Sequence, residues 1–438
     1  MDPVHPFPAP RAGRLALALL AAAGALWFAA PRAAADDLKL VIILTRHGVR
    51  SPLQTPEALA KLSERAWPTW ETPPGIQTPH GNQLIALLGD YYRARFKKDG
   101  LLTGDPAVDG PLVYLRADND QRTIETTRIL GQAFGATGEP DVHALPAGEQ
   151  DPLFEPYRAG VGHPDLKATL GAVLGRVGGD PALLEKAYAT QFEELDAVLH
   201  DPGARLFGTG PHTEVTAGTK RYLVTMKEPL LTAEQAVDSF ILQYADGKPP
   251  AEVGWGKVTP PVLTDLLALH ALFFDLANRT FLVAQMEGSN LASHIVDTIE
   301  QAAVGEPVPG AIGPVGEHIL VLGGHDSNLA NIGGLFGLNW WIDGTQANPV
   351  LPGGALLFEV WRHGSAESPT FYVRTTYVAQ TLDQQHDAVP LGLETPPGLS
   401  PIFFPGCSGA GPTFDAPLKS FVRQARKVID PAFIAPEP

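Results

Sequence analysis

Residues 39–52 (KLVIILTRHGVRSP) decide the fold, because a short apolar run passes directly into a positively charged loop. The run 39–44 is rich in β-branched residues, which is typical of a buried strand. Two further runs share this arrangement: residues 112–115 (LVYL) lead into RADNDQRT, and residues 318–322 (HILVL) lead into GGHDSN. Strands that end in polar loops and alternate with helices predict an α/β fold with ligands at the carboxyl ends of the strands.

Helical patterns alternate with these strands and then dominate the middle of the chain. Apolar residues recur every three or four positions at 81–98 and 124–134. Between about residues 165 and 300 this periodicity prevails, in the segments 181–199, 234–244 and 261–283. We therefore expect a mainly parallel sheet sandwiched by helices, with an inserted, mostly helical lid domain.

The expected domain boundaries follow from this change of pattern. An α/β domain is predicted in two parts, residues 36–164 and 301–438, separated by the helical insertion at 165–300. The Pro- and Gly-rich stretch 305–316 is predicted to lead back into the sheet. The Pro-rich tail 431–438 is predicted to be frayed.

Residues 1–35 have the pattern of a secretory signal peptide. Arg11 and Arg14 precede the apolar run 15–30, and small residues end at Ala35, where we predict cleavage. A signal anchor is the alternative, but the run is shorter than the roughly 20 residues of a membrane span. We also predict that no later segment is long and apolar enough to cross a bilayer, and we expect the mature chain in the periplasm or secreted.

Composition limits the partners of the chain. A formal net charge of -16 opposes binding to nucleic acid or to an anionic membrane surface. The same charge repels anionic substrates, so a phosphate site must depend on a local cluster of arginines. The single cysteine, Cys407, excludes an intramolecular disulfide. We expect a monomer that binds a small molecule.

The loop after the first strand carries Arg46, His47, Gly48 and Arg50. Phosphoryl transfer spreads negative charge over three oxygens, which guanidinium groups bind bidentately, and a neutral imidazole is a competent nucleophile. Gly48 lets the backbone pass close to the ring, and its carbonyl could select the tautomer. The non-catalytic alternative is a surface loop with two solvated arginines around a structural histidine.

The other two loops supply complementary groups. His325 and Asp326 offer a phosphate ligand beside an acid that could protonate a leaving alcohol, although an Asp at this place is also a common helix N-cap. Arg122 lies near the start of a helix, where an anion is favoured. The residues Asp118 and Asp120 also match the D-x-D pattern of magnesium-dependent phosphatases, an alternative disfavoured because no downstream lysine and paired acidic motif accompany it.

The two motifs RHGVRSP and GHDSNLANIGG, in this order, resemble those of the histidine acid phosphatase family. Further stretches resemble landmarks of the family's bacterial phytases and glucose-1-phosphatases, so that the resemblance spans nearly the whole mature chain. They are AWPTW at 66–70, DQRT at 120–123, DPLF at 151–154, GWG at 254–256 and PGG at 352–354.

The resemblance implies a phosphoglycerate mutase-like fold and an acid phosphomonoesterase that acts through a phosphohistidine. His47 matches the nucleophile and Asp326 the proton donor. The implied phosphate ligands are Arg46, Arg50, Arg122 and His325. The family requires no metal and no organic cofactor, and its substrates are small phosphate monoesters.

The chain departs from the phytase pattern at Leu53 and Gln54, where bacterial phytases of this branch carry Thr and Lys. A lost hydroxyl and a lost cation weaken an assignment to phytate, and Leu53 resembles the glucose-1-phosphatases. The NLAN run after Asp326 instead resembles the phytases. Phytate, a sugar phosphate or both therefore remain open as substrates.

Two other functions are compatible with the same residues. A phosphoglycerate mutase-like phosphotransferase uses the same histidine and arginine chemistry, but an exported protein has no evident supply of glycolytic substrates. A phosphate-ester binding protein could keep the pocket without turnover, although all six positions carry competent residues.

Overall fold

The computed structural model describes residues 36–136, 138, 140–201, 207, 210–365 and 368–435. The predicted signal peptide, residues 1–35, lies outside this part of the chain. The strands are β1 (Asp37–Arg46), β2 (Val113–Ala117), β3 (Val215–Ala217), β4 (Val224–Met226), β5 (Ile319–Gly324), β6 (Ala355–His363), β7 (Thr370–Ala379), β8 (Gly398–Pro401) and β9 (Ala416–Pro417).

Helices cover both faces of the sheet and build the middle of the chain. They are α1 (Pro56–Leu59), α2 (Pro79–Lys98), α3 (Pro106–Asp109), α4 (Gln121–Ala133), α5 (Leu166–Arg176), α6 (Leu183–Ala187), α7 (Ala189–Leu199), α8 (Leu230–Ala245), α9 (Pro260–Ala277), α10 (Phe281–Val304), α11 (Asp326–Phe336), α12 (Leu382–His386) and α13 (Leu418–Val428).

The α/β fold is confirmed, but the sheet is mixed rather than mainly parallel. The strand order is β2-β5-β1-β6-β7-β8, with β9 also paired to β7. Strand β5 runs parallel to both β1 and β2, whereas β6 is antiparallel to β1 and every later pairing is antiparallel. For β6 and β7 the reason is local, because the short connection between them allows only an antiparallel pair.

Strand β1 is central and is buried on both faces. Leu40, Ile42 and Leu44 join one hydrophobic cluster, and the alternate residues Val41 and Ile43 join a second one on the opposite face. Each such side chain contributes roughly 1.5–3 kcal/mol relative to an exposed position. This two-sided burial explains why the sequence shows a continuous apolar run and not an alternating one.

Two of the predicted helical segments are each divided between two helices in the structure. The segment predicted at 181–199 is two helices, α6 and α7, separated at Tyr188. The segment predicted at 261–283 ends as α9 at Ala277, and α10 begins at Phe281. The region 165–300 also contains the β3–β4 hairpin, and α10 packs against β1, β6 and α11 of the sheet domain.

Two other expectations need correction. Helix α9, Pro260–Ala277, is long and apolar enough to span a membrane by length and composition alone, with a mean hydropathy of 1.3. It packs instead against α7, α8 and α11, which accounts for its apolar sequence. The tail is not frayed up to Ala435, because Phe433 is buried and the Ala435 amide donates to Asn290 Oδ1 at 2.8 Å.

Candidate active site

Three neighbouring strands bring the predicted site residues to one edge of the sheet. The parallel register places Arg46 at the end of β1 opposite Gly324 of β5, and Ala117 of β2 opposite Gly323. The His47 amide donates to the Gly324 carbonyl at 3.0 Å, so the first and last loops are joined directly. Residues separated by nearly 280 positions in the sequence thus meet at the carboxyl ends of the strands.

Gly323 is required for this close approach. A Cβ atom at this position would lie 2.0 Å from Thr127 Oγ1 of α4 and 3.0 Å from the Thr123 carbonyl oxygen. Helix α4 carries Arg122 in its first turn, so the absence of a side chain at Gly323 lets that helix lie against β5. The glycine therefore helps to set the distance between Arg122 and the loop after β5.

His47 is buried and oriented through its Nδ1 atom. Nδ1 lies 2.8 Å from the Gly48 carbonyl oxygen, which can only accept, so Nδ1 carries the proton and Nε2 keeps its lone pair in the neutral ring. Burial, followed by the positive charges of Arg122 and Arg46, holds the pKa of His47 well below its ordinary value. The contact agrees with the expectation that the Gly48 carbonyl selects the tautomer, and the lowered pKa favours the neutral ring.

Three arginines surround this histidine and keep unused donors. Arg46 is completely buried, and its Nη1 donates to the Val350 carbonyl at 2.5 Å. Arg50 donates from Nη2 to Asp238 at 3.3 Å, and Arg122 pairs with Asp120 at 2.6 Å. The Nε atoms of all three are buried and have no hydrogen-bond partner among the described residues. Such orphan cationic donors are costly unless an anion binds among them.

Asp326 is the first residue of α11 and faces Arg46. Its Oδ2 lies 3.1 Å from Arg46 Nη2, and its Oδ1 accepts from the Ser327 amide at 2.8 Å. Burial opposes ionisation, but the positive charges of Arg46 and His325 outweigh it and lower the pKa of the Asp326 carboxyl. A bound phosphate, being negative, would raise this pKa again and favour the protonated acid.

His325 is held by Asp118, the first residue of the D-x-D pattern. Its Nε2 lies 2.6 Å from Asp118 Oδ2, and its ring centre lies 5.7 Å from that of His47. The hydrogen bond from His325 lowers the pKa of Asp118 against the opposing effect of burial. Asp118 therefore orients the His325 ring.

The residues of the D-x-D alternative lie close enough together to bind a metal ion, but Arg122 already pairs with one of their carboxylates. The ligand atoms of Asp118, Asp120 and His325 lie within 4.8 Å of one another, close enough for a metal ion. Arg122 Nη2, however, is 2.6 Å from Asp120 Oδ2. A guanidinium group in contact with this carboxylate takes the charge-compensating role that a metal would have.

Sequence reasoning missed Asp238, which comes from the lid helix α8. Its two carboxylate oxygens lie 3.4 Å from Arg46 Nη2 and 3.3 Å from Arg50 Nη2. His270 of α9 lies 4.0 Å from the same carboxylate, and burial lowers the pKa of this histidine to about 4. Nothing in the sequence around Asp238 distinguishes it from any acidic residue of an amphipathic helix.

Leu53 lies beside Gly75, which Arg122 also contacts, whereas no hydrogen bond joins Gln54 to the proposed phosphate ligands among the described residues. The Leu53 side chain is 54% exposed and packs beside Gly75. Arg122 Nη1 donates to the Gly75 carbonyl at 3.4 Å, so Leu53 and Arg122 flank the same residue. Gln54 is half-buried, and its Oε1 has no partner in the described part of the chain.

Comparisons with known proteins agree with this geometry. The family model of the histidine phosphatase superfamily (branch 2) matches residues 37–161. The chain is 35% identical over 394 residues to phytase AppA of Escherichia coli (strain K12), covering 85% of this chain and 88% of that protein. It is 27% identical to a glucose-1-phosphatase of Providencia rettgeri, covering 82% of this chain and 84% of that protein.

A solved structure supports the same assignment. Hafnia alvei phytase in complex with myo-inositol hexakis sulphate superposes with a TM-score of 0.81 at 32% identity, covering 91% of this chain and 99% of that one. The chain therefore belongs to branch 2 of the histidine phosphatase superfamily and is a histidine acid phosphatase.

Proposed function

We propose that the protein hydrolyses phosphate monoesters through a phosphohistidine formed on His47, with Asp326 as the general acid and base. The observation that carries the proposal is the set of three buried guanidinium groups with unpartnered Nε donors around a neutral, oriented imidazole. This arrangement can bind three phosphate oxygens while leaving one nucleophilic nitrogen free.

In the first half-reaction, the lone pair of His47 Nε2 attacks phosphorus and the bond to the ester oxygen breaks. Asp326 transfers its proton to that oxygen, so a neutral alcohol leaves. The three arginines bind the equatorial oxygens, where negative charge is concentrated in the transition state. His325, held by Asp118 at 2.6 Å, is the fourth phosphate ligand in this proposal.

In the second half-reaction, the ionised Asp326 accepts a proton from a water molecule as that water attacks phosphorus. The bond between phosphorus and Nε2 breaks, and inorganic phosphate and neutral His47 are regenerated. Asp326 is again protonated and can serve the next cycle. The lowered pKa of His47 keeps its ring neutral at low pH, which supports an acidic pH optimum. The pKa of Asp326 is also lowered, so its role as the acid depends on the negative charge of the bound phosphate, which raises that pKa again.

The substrate is proposed more coarsely, as phytate, a sugar phosphate or both. The exposed apolar side chain of Leu53 beside Arg122 offers no cation or hydroxyl for a second phosphate group, which favours a singly phosphorylated sugar. The phytase among the relatives has the higher identity, which favours phytate. Relative kcat/KM values for phytate and glucose 1-phosphate separate the two, and the double substitution Leu53→Thr, Gln54→Lys is expected to raise the value for phytate.

The central test follows phosphate release from p-nitrophenyl phosphate between about pH 3 and 7 with a chelator present. A bell-shaped profile is expected for the wild type, together with loss of activity in His47→Ala. Full activity in His47→Ala would refute the proposed nucleophile. Absence of turnover in the wild type, with retained phosphate binding, would favour a binding protein. Transfer of phosphate to a second sugar phosphate in preference to water would favour a mutase-like phosphotransferase.

Export to the periplasm or the medium is proposed from the pattern of residues 11–35, with cleavage after Ala35. N-terminal sequencing of the protein recovered from each compartment tests the cleavage site and the location together. We further propose that the mature protein is a monomer. Its mass, measured by light scattering coupled to gel filtration, tests this proposal.

A further inference from the structure

Gln77 is the central residue of a buried hydrogen-bond network behind the His47 loop. It precedes α2, is only 3% exposed and forms an isolated antiparallel bridge with Arg50. Its Oε1 accepts from the Gly48 amide at 3.1 Å and from the Thr126 hydroxyl at 2.7 Å. Thr126, on α4, is completely buried and its Oγ1 lies 2.9 Å from the same Gly48 amide.

The orientation of the Gln77 amide is determined by its neighbours. Its Nε2 donates to Asn82 Oδ1 of α2 at 3.0 Å, so its oxygen must face Gly48 and Thr126. Its backbone amide donates to the side chain of Gln121 at 3.1 Å, next to Arg122 in the first turn of α4. One residue therefore contacts the His47 loop, the Arg50 backbone and the helix that carries Arg122.

This network holds the peptide unit between His47 and Gly48 from one side. The His47 carbonyl accepts from the Gly353 amide at 2.9 Å, which holds the same unit from the other side. The Gly48 carbonyl in turn accepts from His47 Nδ1. A Cβ atom at Gly48 would lie 3.0 Å from Gln77 Oε1 and 2.9 Å from an Ile85 carbon, so the contact with Gln77 also requires glycine.

We infer that Gln77 and Thr126 are positioning residues that fix the His47–Gly48 peptide, and through it the direction of the His47 Nε2 lone pair. The inference rests on the proposed role of His47 as the nucleophile. Residue 77 contacts the Arg50 backbone and Gln121 through its own backbone, which a side-chain substitution keeps, and the arginine side chains pair with Asp238 and Asp120. The side-chain network therefore acts on the attacking atom more than on the bound phosphate.

The test measures attack and phosphate binding in the same variants. Thr126→Val and Gln77→Leu are each expected to lower kcat/KM for p-nitrophenyl phosphate about tenfold, because small displacements of a reacting atom are costly. The inhibition constant of inorganic phosphate is expected to change less than about threefold, since the arginines keep their partners. Thr126→Ser, which keeps the hydroxyl, is expected to restore kcat/KM to within about threefold of the wild type.

Thr169→Val is the matched control, because Thr169 is also completely buried in a helix and its hydroxyl donates to the Asp165 carbonyl at 2.8 Å in α5. It is expected to retain wild-type activity. Unchanged kcat/KM in both Thr126→Val and Gln77→Leu would overturn the inference. Equal losses in Thr126→Val and Thr126→Ser, or a rise of the phosphate inhibition constant in parallel with the loss of activity, would also overturn it.

A less disruptive pair of variants covers the case in which the buried variants do not fold. Asn82→Ala removes the acceptor that orients the Gln77 amide and is expected to lower kcat/KM about threefold, while Asn82→Asp keeps the acceptor and the activity. Equal activity of the two would contradict the inference. His47→Ala is measured in parallel: if it remains active, the proposed mechanism fails, and if only it is inactive, the positioning role alone fails.

Discussion

Two clusters of charged side chains lie at different parts of the same sheet and differ in how completely their hydrogen-bonding groups are paired. In the first, at the ends of β1, β2 and β5, the Nε atoms of Arg46, Arg50 and Arg122 have no partner among the described residues. In the second, Glu359 of β6 is completely buried and accepts from Arg95 of α2 and from Trp361 Nε1 at 3.0 Å. The first cluster therefore keeps unpaired donors that an anion could accept from, whereas Glu359 is paired with two donors of the protein.

Burial of charge alone does not indicate a functional site. Burial alone marks both clusters, and both contain arginine. Only the first combines unpaired donors with an oriented histidine whose pKa is lowered by its surroundings. Unpaired donors cost free energy in the empty protein, and a bound anion recovers it, whereas a complete cluster has no such gain to make. Substitutions in the two clusters should therefore have opposite consequences for activity and stability.

The largest effect is expected from Asp326→Asn, which removes the proton that the leaving group needs. For an alkyl phosphate, kcat/KM should fall by about 10³-fold, within the range for a lost general acid. For p-nitrophenyl phosphate, whose leaving group needs little protonation, the fall should be about tenfold. Steady-state kinetics with both substrates provide the measurement. Equal losses would show that Asp326 is not the acid.

Glu359→Gln should change stability and leave activity intact. The substitution removes the completely buried carboxylate that Arg95 contacts and leaves Arg95 with Asp99 alone, at 3.5 Å, which is expected to cost about 3 kcal/mol in the free energy of unfolding. Asp415→Asn is the comparison variant, because the Asp415 side chain is 23% exposed whereas that of Glu359 is completely buried, and its pair with Arg374 should contribute about 1 kcal/mol at most. Urea denaturation measures both values. A loss of turnover per folded Glu359→Gln molecule would contradict the distinction between the clusters.

Arg122→Met should shift the pH profile as well as lower activity. After burial, Arg122 is the largest contributor to the low pKa of His47, so its removal raises this pKa. His47 then becomes protonated at a higher pH, and the acid limb of kcat/KM should move upward, with a fall of about 30-fold at the optimum.

Arg176→Met is the control for charge alone, since Arg176 pairs with Asp275 and is not among the groups that lower the pKa of His47. Its acid limb should stay where it is in the wild type. An unmoved acid limb in Arg122→Met would mean that this limb does not report His47.

The smallest effect is expected from Asp118→Asn, which keeps the shape of the side chain but removes the charge facing His325. Because the His325 ring then loses the carboxylate that orients it, the inhibition constant of inorganic phosphate should rise about tenfold. Steady-state inhibition of p-nitrophenyl phosphate hydrolysis provides the measurement. An unchanged constant would show that Asp118 does not position His325 as a phosphate ligand.

The class of the fold and the residues of the candidate site could both be predicted from the sequence. Apolar runs that end in RHGVRSP, RADNDQRT and GGHDSN placed His47, Arg122 and Asp326 at strand ends, and the register of β1, β2 and β5 brings them together. Such signals are local, since a buried parallel strand and its following loop are both encoded by adjacent residues.

Only the tertiary structure decided the mixed sheet, the placement of Asp238 and the role proposed for Gln77. Asp238 and Gln77 lie in ordinary helical or loop sequence and gain significance from partners far along the chain: Arg46 for Asp238, and Gly48 and Thr126 for Gln77. The packing of α9 against α7, α8 and α11 is likewise visible only in the tertiary structure, because an apolar helix of this length has the same sequence pattern in a membrane and in a protein core. Local sequence specifies which groups are available, while long-range packing determines which of them lie together and which are left unpaired.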